Sequence, residues 1–385
     1  MKNVAIRETA PFRFDCVGSF LRTKVLKQAR ADFLDRKISE EKLKEIEDQE
    51  IIKLIAKQES LGLRSITDGE YRRTSWDLDF FLGLQGVKSI KYKRSDSENY
   101  FQGLLLDKEV KTAVLNGKIS GENHPFIEHF KFLNDHISAN SVAKITIPGP
   151  AQFFHRLTHK DRIDLTKRVY STKEELKKDI VKVYKTVIND LYNAGARVIQ
   201  FDDCCWLLTV NPLSKELTDI EKSKELRRRH EFLEDLLDVS NHTLEGLPSD
   251  LVITTHACRG NYRSRWNSTG GYEAVAETMF AKEKVNAFFL EYDSDRAGDF
   301  TPLVKIPKYK LIVLGLVTTK AGQLESKNEV INRIEEASRY VDIDRICLSP
   351  QCGFASTEEG NELTEDEQWA KIRLIKEIAE EVWPS

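Results

Sequence analysis

Short apolar runs recur along the chain and alternate with segments of helical periodicity. Eight runs rich in β-branched and aromatic residues predict strands near residues 12–17, 64–67, 143–147, 197–201, 251–255, 286–290, 310–314 and 345–349. Between them, apolar residues recur every three or four positions and predict helices over about 22–60, 176–194, 217–245, 271–282, 329–340 and 364–382. Strands that alternate with helices in this way indicate a parallel sheet built from β-α-β units.

The segment from about residue 71 to residue 140 breaks this alternation. It mixes aromatic and polar residues, as in Trp76-Asp-Leu-Asp-Phe-Phe81, and predicts an insertion that holds a hairpin or lid and a helix near 125–137. Eight β/α units with one insertion after the second strand use the whole length of 385 residues. We therefore predict an α/β fold, a (β/α)8 TIM barrel, as a single domain over residues 1–385. A doubly wound open sheet is the alternative, but it would leave the eighth strand far from the fifth.

Composition narrows the class of protein. The formal net charge is −3 and charged residues make up 31% of the chain, which gives no reason to expect nucleic acid or an anionic membrane as a partner. No apolar run approaches the roughly 20 residues needed to span a bilayer, and the N-terminal stretch lacks the apolar core of a secretory signal. Six cysteines are too few for a disulfide scaffold of this length. These features predict a soluble cytoplasmic enzyme whose reduced thiols are free to bind a metal or to react.

Four potential metal ligands follow the predicted fifth, sixth and eighth strands. His256 and Cys258 lie two residues apart, so an extended backbone directs both side chains to the same face. Glu291 ends the sixth strand and Cys352 follows the eighth. In a closed barrel these strand ends meet at one rim, and zinc favours such a mixture of nitrogen, sulfur and oxygen donors. We therefore predict one Zn2+ site made of these four residues, whereas the alternative treats the cysteines as small buried apolar residues.

The predicted donor set indicates what the metal would do. A structural zinc site usually takes four donors from a compact knuckle with paired Cys-x-x-Cys spacing, whereas these donors are spread over about a hundred residues. Two thiolates and a carboxylate neutralise the ion, which makes it a poor generator of hydroxide. Such a site is better suited to bind a substrate thiol and lower its pKa. The expected chemistry is alkyl transfer to sulfur.

A set of short motifs, in a fixed order along the chain, matches one known family. The set consists of Gly18-Ser19, Asp68-Gly-Glu70, Gln200-Phe-Asp-Asp203, His256-Ala-Cys258 with the following Arg259-Gly-Asn261, Glu291 in LEYD and Cys352 in SPQCG. These motifs resemble the catalytic barrel of the cobalamin-independent methionine synthases over about residues 12–370, and the chain is similar to the short members that have a single barrel. The resemblance implies the barrel fold, a bound zinc ion, and methyl transfer to homocysteine to form methionine.

The same resemblance assigns roles to the matched residues outside the metal site. Glu70 and Asp202 become the carboxylates that hold the amino group of homocysteine, although ordinary salt bridges at the barrel rim are the alternative for this pair. Val17, Gly18 and Ser19 would bind the carboxylate of homocysteine through backbone N–H groups and the serine hydroxyl. These assignments place opposite charges at each end of an amino acid whose thiol reaches the metal.

Three departures from the family concern the methyl donor. Lys320 follows the seventh strand, where the long enzymes carry a proton-donating histidine, and is our candidate catalytic acid. Arg156 stands where a tryptophan stacks on the pterin of the donor. Cys204-Cys205-Trp206 replaces a proline and a downstream acidic residue. The thiol half of the site is thus intact, whereas we expect methyl-folate to be a poor donor and a methylated corrinoid or a sulfonium to serve instead.

Three functions remain open at this level. The first is an S-methyltransferase, similar to 5-methyltetrahydropteroyltriglutamate-homocysteine S-methyltransferase, that acts on homocysteine with a donor still to be identified. The second is alkyl transfer to another thiol, as in the related epoxyalkane:thiol transferases, but Glu70 and Asp202 favour an amino-acid thiol over a sulfonate. The third is a non-catalytic relative that binds zinc or homocysteine. The sequence does not indicate the oligomeric state.

Overall fold

Seven parallel strands form one curled sheet in a computed structural model that describes residues 9–93, 101 and 109–384. The strands within these residues are β1 (Ser65–Ile66), β2 (Gln85–Lys93), β3 (Glu109–Ser120), β4 (Val142–Pro148), β5 (Val198–Asp202), β6 (Val252–Ala257), β7 (Ala287–Glu291), β8 (Leu311–Val317) and β9 (Ile346–Pro350). In space the sheet runs β1-β4-β5-β6-β7-β8-β9. Asp202 at the end of β5 pairs with His256 of β6, so the residues that follow these two strands meet at one rim.

The predicted first strand closes the curled sheet but is reduced to a single bridge. Phe14 bridges to Leu348 of β9. The Asp15 backbone N–H donates to the Leu348 carbonyl at 3.0 Å, and the Leu348 N–H donates to the Arg13 carbonyl at 2.9 Å. On the side of β1, side chains make the connection, since the Thr67 hydroxyl donates to the Gly18 carbonyl at 2.6 Å. A regular ladder does not extend along residues 12–17, because the Asp15 side chain accepts from the next backbone N–H at 2.8 Å. The (β/α)8 barrel class is confirmed, with this strand in reduced form.

Helices flank the strands, and several of them lie where the apolar periodicity predicts helices. They are α1 (Lys24–Leu34), α2 (Glu40–Ser60), α3 (Leu78–Gly83), α4 (Phe126–His136), α5 (Pro150–Thr158), α6 (Ile163–Thr166), α7 (Lys173–Asn193), α8 (Asp219–Leu244), α9 (Glu273–Val275), α10 (Lys327–Ala337) and α11 (Glu365–Val382). The helix predicted over 22–60 is two helices, because Ser39 caps a new start by accepting from Lys42 N. No helix in the described ranges is long and apolar enough to cross a membrane.

The segment predicted as an insertion holds a β-hairpin and two helices. β2 and β3 pair antiparallel, from Gln85 opposite Ser120 to Lys93 opposite Glu109. Helix α3 precedes this hairpin and α4 follows it, close to the predicted helix at 125–137. The hairpin packs against α5, α6 and α7 through β3, and its residues Tyr92 and Val110 contribute to the cavity at the carboxyl ends of the strands. The assignment of all 385 residues to one domain stays a prediction.

Candidate functional site

A cavity of about 650 Å3 opens at the carboxyl ends of the strands. Its wall includes most of the predicted site residues, namely Val17, Ser19, Glu70, Asp202, His256, Cys258 and Cys352. The other side of the wall comes from the insertion and from α5, with Trp76, Asp77, Tyr92, Gln152, His155 and Arg156. The cavity therefore joins the thiol side of the predicted site to the side assigned to the methyl donor.

Three of the four predicted metal ligands form a compact donor group. His256 and Cys258 leave the end of β6 and Cys352 follows β9, and their donor atoms lie within 4.8 Å of one another. All three side chains are buried. The His256 Nδ1 atom lies 3.3 Å from the Phe289 carbonyl oxygen, whereas its buried Nε2 atom has no hydrogen-bond partner among the described residues. A histidine held through one ring nitrogen with the other free is the usual arrangement of a metal ligand.

The two cysteines of the donor group also fit a metal ion. Contacts with neighbouring thiols and burial raise the pKa of Cys258 and of Cys352 well above the ordinary value of a thiol. Two crowded thiols gain little from ionising in such a site, but a divalent cation reverses this balance by stabilising both thiolates. The donors present therefore suit a soft cation such as Zn2+.

Glu291, the fourth predicted ligand, lies outside the group formed by the other three. Its buried carboxylate accepts from the Arg259 backbone N–H at 2.9 Å and forms an ion pair with the Arg296 guanidinium. Although burial opposes ionisation, the cations Lys320, Arg296 and Arg259 together lower the pKa of Glu291 to about 2. This carboxylate is therefore ionised and already charge-balanced by protein cations. Its role as a zinc ligand stays a prediction.

Lys320 lies beside Glu291 and is not among the described residues of the cavity wall. Its side chain is only 7% exposed, and its Nζ atom lies 4.0 Å from the Glu291 carboxylate. In this position its charge contributes to holding Glu291 ionised, and its role as a proton donor to a methyl donor stays a prediction.

Glu70 and Asp202 form a pair of buried carboxylates at the cavity wall. Glu70 Oε1 accepts from the Thr146 hydroxyl at 2.8 Å and lies 3.4 Å from Arg73, but its buried Oε2 has no hydrogen-bond partner in the part of the chain that the structure describes. Asp202 accepts from the Gln200 amide at 2.9 Å. Burial, followed by the charge of Glu70, raises the pKa of Asp202 well above its usual value, and burial likewise raises that of Glu70. A cation bound between the two would relieve this cost, which is what a substrate ammonium group supplies.

The predicted carboxylate-binding segment is held rigidly beside this acid pair. The Val17 carbonyl accepts from Gln200 at 2.8 Å, and the Ser19 hydroxyl accepts from Ala355 N at 3.3 Å. Gly18 has a φ of +150°, and a Cβ atom there would lie 2.5 Å from Thr146 Cγ2, so this position requires glycine. Val17 and Ser19 both line the cavity.

Two features of the site were not assigned from the sequence. The Cys204 sulfur lies 3.0 Å from the Cys258 sulfur, although Cys204 was left without a role. The half-buried Trp76 brings an indole from the insertion to the cavity wall. Arg156, at the place expected for a stacking tryptophan, is paired with Asp77 and donates to Thr112 at 3.0 Å. The only sequence feature that pointed to Cys204 was its position just beyond a strand end. Trp76 had no such feature, because it lies in the insertion, outside the repeating β/α units.

Comparison with protein families decides the relationship. The catalytic-domain model of the cobalamin-independent synthases matches residues 13–381. The chain belongs to the cobalamin-independent methionine synthase family. A Listeria monocytogenes protein assigned to the vitamin-B12-independent methionine synthases superimposes with a TM-score of 0.74 at 33% identity, over 98% of this chain and all of that one. The predicted family, in its short single-barrel form, is therefore confirmed.

More distant and less characterised relatives agree with this placement. The uncharacterised protein YxjH of Bacillus subtilis is 40% identical over 99% of this chain and 98% of its own length. A methionine synthase of Sulfolobus acidocaldarius is 22% identical over 88% of this chain and 84% of its own. A B12-independent methionine synthase from Shewanella sp. W3-18-1, solved with selenomethionine, has the same fold, with a TM-score of 0.69 at 19% identity over 96% of this chain and 97% of that one. Family membership indicates a methyltransferase.

Proposed function

We propose that this protein is a zinc-dependent methyltransferase that transfers a methyl group to the thiol of homocysteine and forms methionine. One observation carries the proposal: the group of His256, Cys258 and Cys352 and the acid pair of Glu70 and Asp202 open into the same cavity. A metal site and an ammonium site side by side suit a small amino acid that carries a thiol. Family membership supports the same conclusion.

The metal would be held by His256, Cys258 and Cys352, with Glu291 as the predicted fourth ligand. When bound, a zinc ion lowers the pKa of a substrate thiol and so supplies a thiolate near neutral pH. The rest of the work falls to residues of the chain. The Phe289 carbonyl orients the His256 ring, and the wall of the buried donor group limits access of water to the reacting sulfur.

Substrate orientation follows from charge. The acid pair would hold the ammonium group of homocysteine, because both carboxylates are buried and the free Glu70 Oε2 atom needs a donor. The Val17–Ser19 segment, which lies beside the acid pair, would hold the substrate carboxylate. An acid pair in this place favours an amino-acid thiol over a sulfonate thiol, which leaves the epoxyalkane:thiol type of transfer as the weaker candidate.

The methyl donor would occupy the outer part of the cavity, between α5 and the insertion. Arg156 is tied to Asp77 there and offers a guanidinium instead of an indole wall. Lys320, the candidate acid, lies 4.0 Å from the Glu291 carboxylate and is not among the described residues of the cavity wall, so protonation of a departing folate nitrogen would require its side chain to turn towards the cavity. We therefore expect an activated donor, a methylated corrinoid or a sulfonium, to work better than methyl-folate.

A donor screen tests the proposed function. Zinc-loaded protein is incubated with homocysteine and, separately, methyl-folate polyglutamate, a methylated corrinoid or a sulfonium, and methionine is measured. We expect methionine from an activated donor and much less from methyl-folate. Efficient turnover with methyl-folate that is abolished in Lys320→Ala would instead assign the acid role to Lys320. The absence of homocysteine binding together with the absence of product from every donor would contradict the proposed function.

Metal content provides a separate test of the donor group. We expect Cys258→Ser and Cys352→Ser to bind well under one zinc ion per chain, because each removes a thiolate ligand, while the circular dichroism spectrum stays that of the wild type. Cys347→Ala, a buried cysteine at the opposite end of β9, is the control and should keep its zinc. Full zinc occupancy in both serine variants would rule out the assigned ligands.

A further inference from the structure

Helix α5 and the residues after β5 hold each other through two reciprocal hydrogen bonds. The buried Asp203 carboxylate accepts from the Gln152 backbone N–H at 2.9 Å, which satisfies one of the free N–H groups in the first turn of α5. In return, the Gln152 side-chain oxygen accepts from the Cys205 backbone N–H at 3.1 Å. Each side chain is thus committed to the backbone of the other segment, which fixes Gln152 relative to the end of β5.

The two segments approach so closely that the turn before α5 requires glycine. A Cβ atom at Gly149 would overlap the Asp203 carboxylate. From a third element, α7, the Tyr184 hydroxyl donates to the Pro148 carbonyl at 2.9 Å. The start of α5 is therefore held from two sides, and the face that this helix presents to the cavity is preorganised.

The Gln152 amide keeps an unused donor group. Because the Cys205 N–H needs an acceptor, the amide oxygen must face it and the N–H2 group points away. Among the described residues, the hydrogen bonds of this side chain use its oxygen alone. The side chain is only 7% exposed, and Gln152 lines the cavity. A buried amide with unused N–H groups at a cavity wall is expected where a ligand supplies the acceptor.

Gln152 lies between the two halves of the cavity. Arg156, one turn further along α5, is on the same face of the helix and also lines the cavity, but side chains of the insertion engage both of its terminal nitrogens. The partners of Gln152, in contrast, follow directly after Asp202 of the acid pair. The free amide group is therefore placed where a methyl donor approaches bound homocysteine.

From these contacts we propose that Gln152 is a specificity-determining residue for the methyl donor and binds an oxygen acceptor of that donor through its amide N–H2 group. The inference rests on the proposed function, since it presumes that a methyl donor enters this cavity beside homocysteine. It goes beyond that function because neither the proposed pose nor the family motifs assign a role to Gln152. Asp203 is a positioning residue, which acts through the first turn of α5.

The chemistry of the amide group determines which donors it suits. An N–H2 group is uncharged and can only donate, so it binds a carbonyl, carboxamide or carboxylate oxygen and discriminates against a donor that presents a cationic or apolar surface there. A methylated corrinoid carries carboxamide oxygens around its ring, and an amino-acid sulfonium carries a carboxylate. Both activated donors can therefore meet this requirement, through different oxygens.

Two substitutions separate donor binding from the structural role of the side chain. Gln152→Glu keeps an oxygen for the Cys205 N–H but has no N–H2 group, whereas Gln152→Met loses both. Dissociation constants of methylcobalamin and of S-methylmethionine are measured by equilibrium dialysis against the full-length, zinc-loaded protein, without homocysteine and at pH 8, where a carboxylate is ionised.

We expect both variants to bind the probe that the wild type binds at least about fivefold more weakly, which corresponds to the loss of one hydrogen bond. Homocysteine affinity and zinc content should stay at wild-type values. The melting temperature should fall in Gln152→Met alone, because that variant also loses the bond to Cys205. Gln28→Glu is the control and should match the wild type, since Gln28 is exposed on α1 and is not among the described residues of the cavity wall.

Each other outcome would overturn the inference. Unchanged dissociation constants in both variants, or weaker binding in Gln152→Met alone, would show that the side chain has a structural role. Tighter binding of S-methylmethionine by Gln152→Glu would show that the residue faces the sulfonium charge. A loss of homocysteine affinity instead of donor affinity would place Gln152 in the homocysteine half of the cavity. A wild type that binds homocysteine and zinc but neither probe would overturn this inference alone, whereas a wild type that also fails to bind homocysteine would contradict the proposed function.

Discussion

At the scale of single residues, the acid pair illustrates how burial prepares a binding site. Glu70 and Asp202 are both buried beside one another, and burial raises the pKa of each, with the charge of Glu70 adding to the rise at Asp202. Glu70 has a φ of +60°, a conformation that a glutamate rarely adopts, and its Thr146 contact fixes the carboxylate in place. The site therefore holds two buried acids whose pKa values are raised, which is expected where a ligand supplies a further cation.

Asp202→Ala tests this interpretation. Removal of one buried charge partner typically costs about 2–5 kcal/mol, so the affinity of the zinc-loaded protein for homocysteine should fall by at least about tenfold. Isothermal titration calorimetry measures the change. Glu47→Gln is the matched control, because Glu47 lines the same cavity but is already paired with Arg30 and Arg72. Unchanged affinity in Asp202→Ala would reject the proposed pose and favour another thiol.

At the scale of secondary-structure elements, the insertion builds the outer wall of the cavity. Its hairpin is fastened to the barrel by side chains, with Arg162 donating to the Tyr92 hydroxyl at 3.0 Å and Lys118 paired with Glu175. Just before α3, the Trp76 backbone N–H donates to the Ser356 carbonyl at 2.8 Å, which links the insertion to the loop after β9. The same loop carries Cys352. The insertion thus joins the donor side of the cavity to the metal side.

The variant Trp76→Ala tests whether this residue affects only the binding of the methyl donor. Stacking on an aromatic ring contributes about 0.5–1.5 kcal/mol beyond burial, so the KM for a flat methyl donor should rise by between about twofold and tenfold. Homocysteine affinity and zinc content should stay at wild-type values. Leu82→Ala, at an exposed position of α3, serves as the control. Equal losses of donor and homocysteine binding would show that Trp76 supports the whole cavity rather than the donor side alone.

At the scale of the whole molecule, a buried ion pair contributes to closing the barrel. Lys144 of β4 reaches Asp15 of the reduced first strand at 2.8 Å, and both side chains are 1% exposed. Asp15 also accepts from the Ser65 hydroxyl of β1 at 2.9 Å. Because the first strand has a single backbone bridge, these side-chain contacts do part of the work that a hydrogen-bonded ladder does elsewhere.

Lys144→Met should therefore be strongly destabilising. It leaves the Asp15 carboxylate buried without its cation, for which the expected loss is about 3–5 kcal/mol in the free energy of unfolding. The double variant Asp15→Asn with Lys144→Met removes both charges and should be more stable than the single variant. Urea unfolding followed by circular dichroism provides both values. If Lys144→Met lowered the free energy of unfolding by less than the double variant does, the ion pair would not stabilise closure of the barrel.

A second buried pair gives the fold a dependence on pH. Burial raises the pKa of Glu283 from 4.5 to about 7, while burial lowers that of Lys310 from 10.5 to about 8. Between pH 4.5 and 7 the folded state binds more protons at Glu283 than the unfolded state does, so the free energy of unfolding falls as the pH rises. At Lys310 the reverse holds between pH 8 and 10.5, and stability should recover.

Urea unfolding at pH 5 and pH 7 tests the acid limb of this dependence. The fall in the free energy of unfolding from pH 5 to pH 7 should be larger in the wild type than in Glu283→Gln, by at least about 1 kcal/mol. Glutamine keeps an acceptor for the Thr255 hydroxyl, which bonds to Glu283 at 3.0 Å. Parallel curves for the two proteins would assign the pH dependence to other groups.

The sequence by itself determined the elements and the kind of chemistry. Periodicity of apolar residues is a local property, so it located strands such as β6 and β9 and helices such as α7 within a few residues. The spacing of His256 and Cys258 on one strand is equally local. Because a barrel gathers its strand ends at one rim, the predicted metal donors followed once the fold class was predicted, whereas the role of the acid pair came from the resemblance to the family.

Only the tertiary structure decided which neighbours these side chains have. Glu291 is engaged by Arg296 and Arg259, Lys320 lies 4.0 Å from it, and Cys204 contacts Cys258 across two strands. None of these pairings leaves a local pattern, because ion pairs and sulfur contacts depend on the register between strands and on the path of loops. The length of the first strand was overestimated for the same reason. An apolar run predicts extended backbone, but the number of ladder hydrogen bonds that it forms depends on the side chains that compete for its backbone groups.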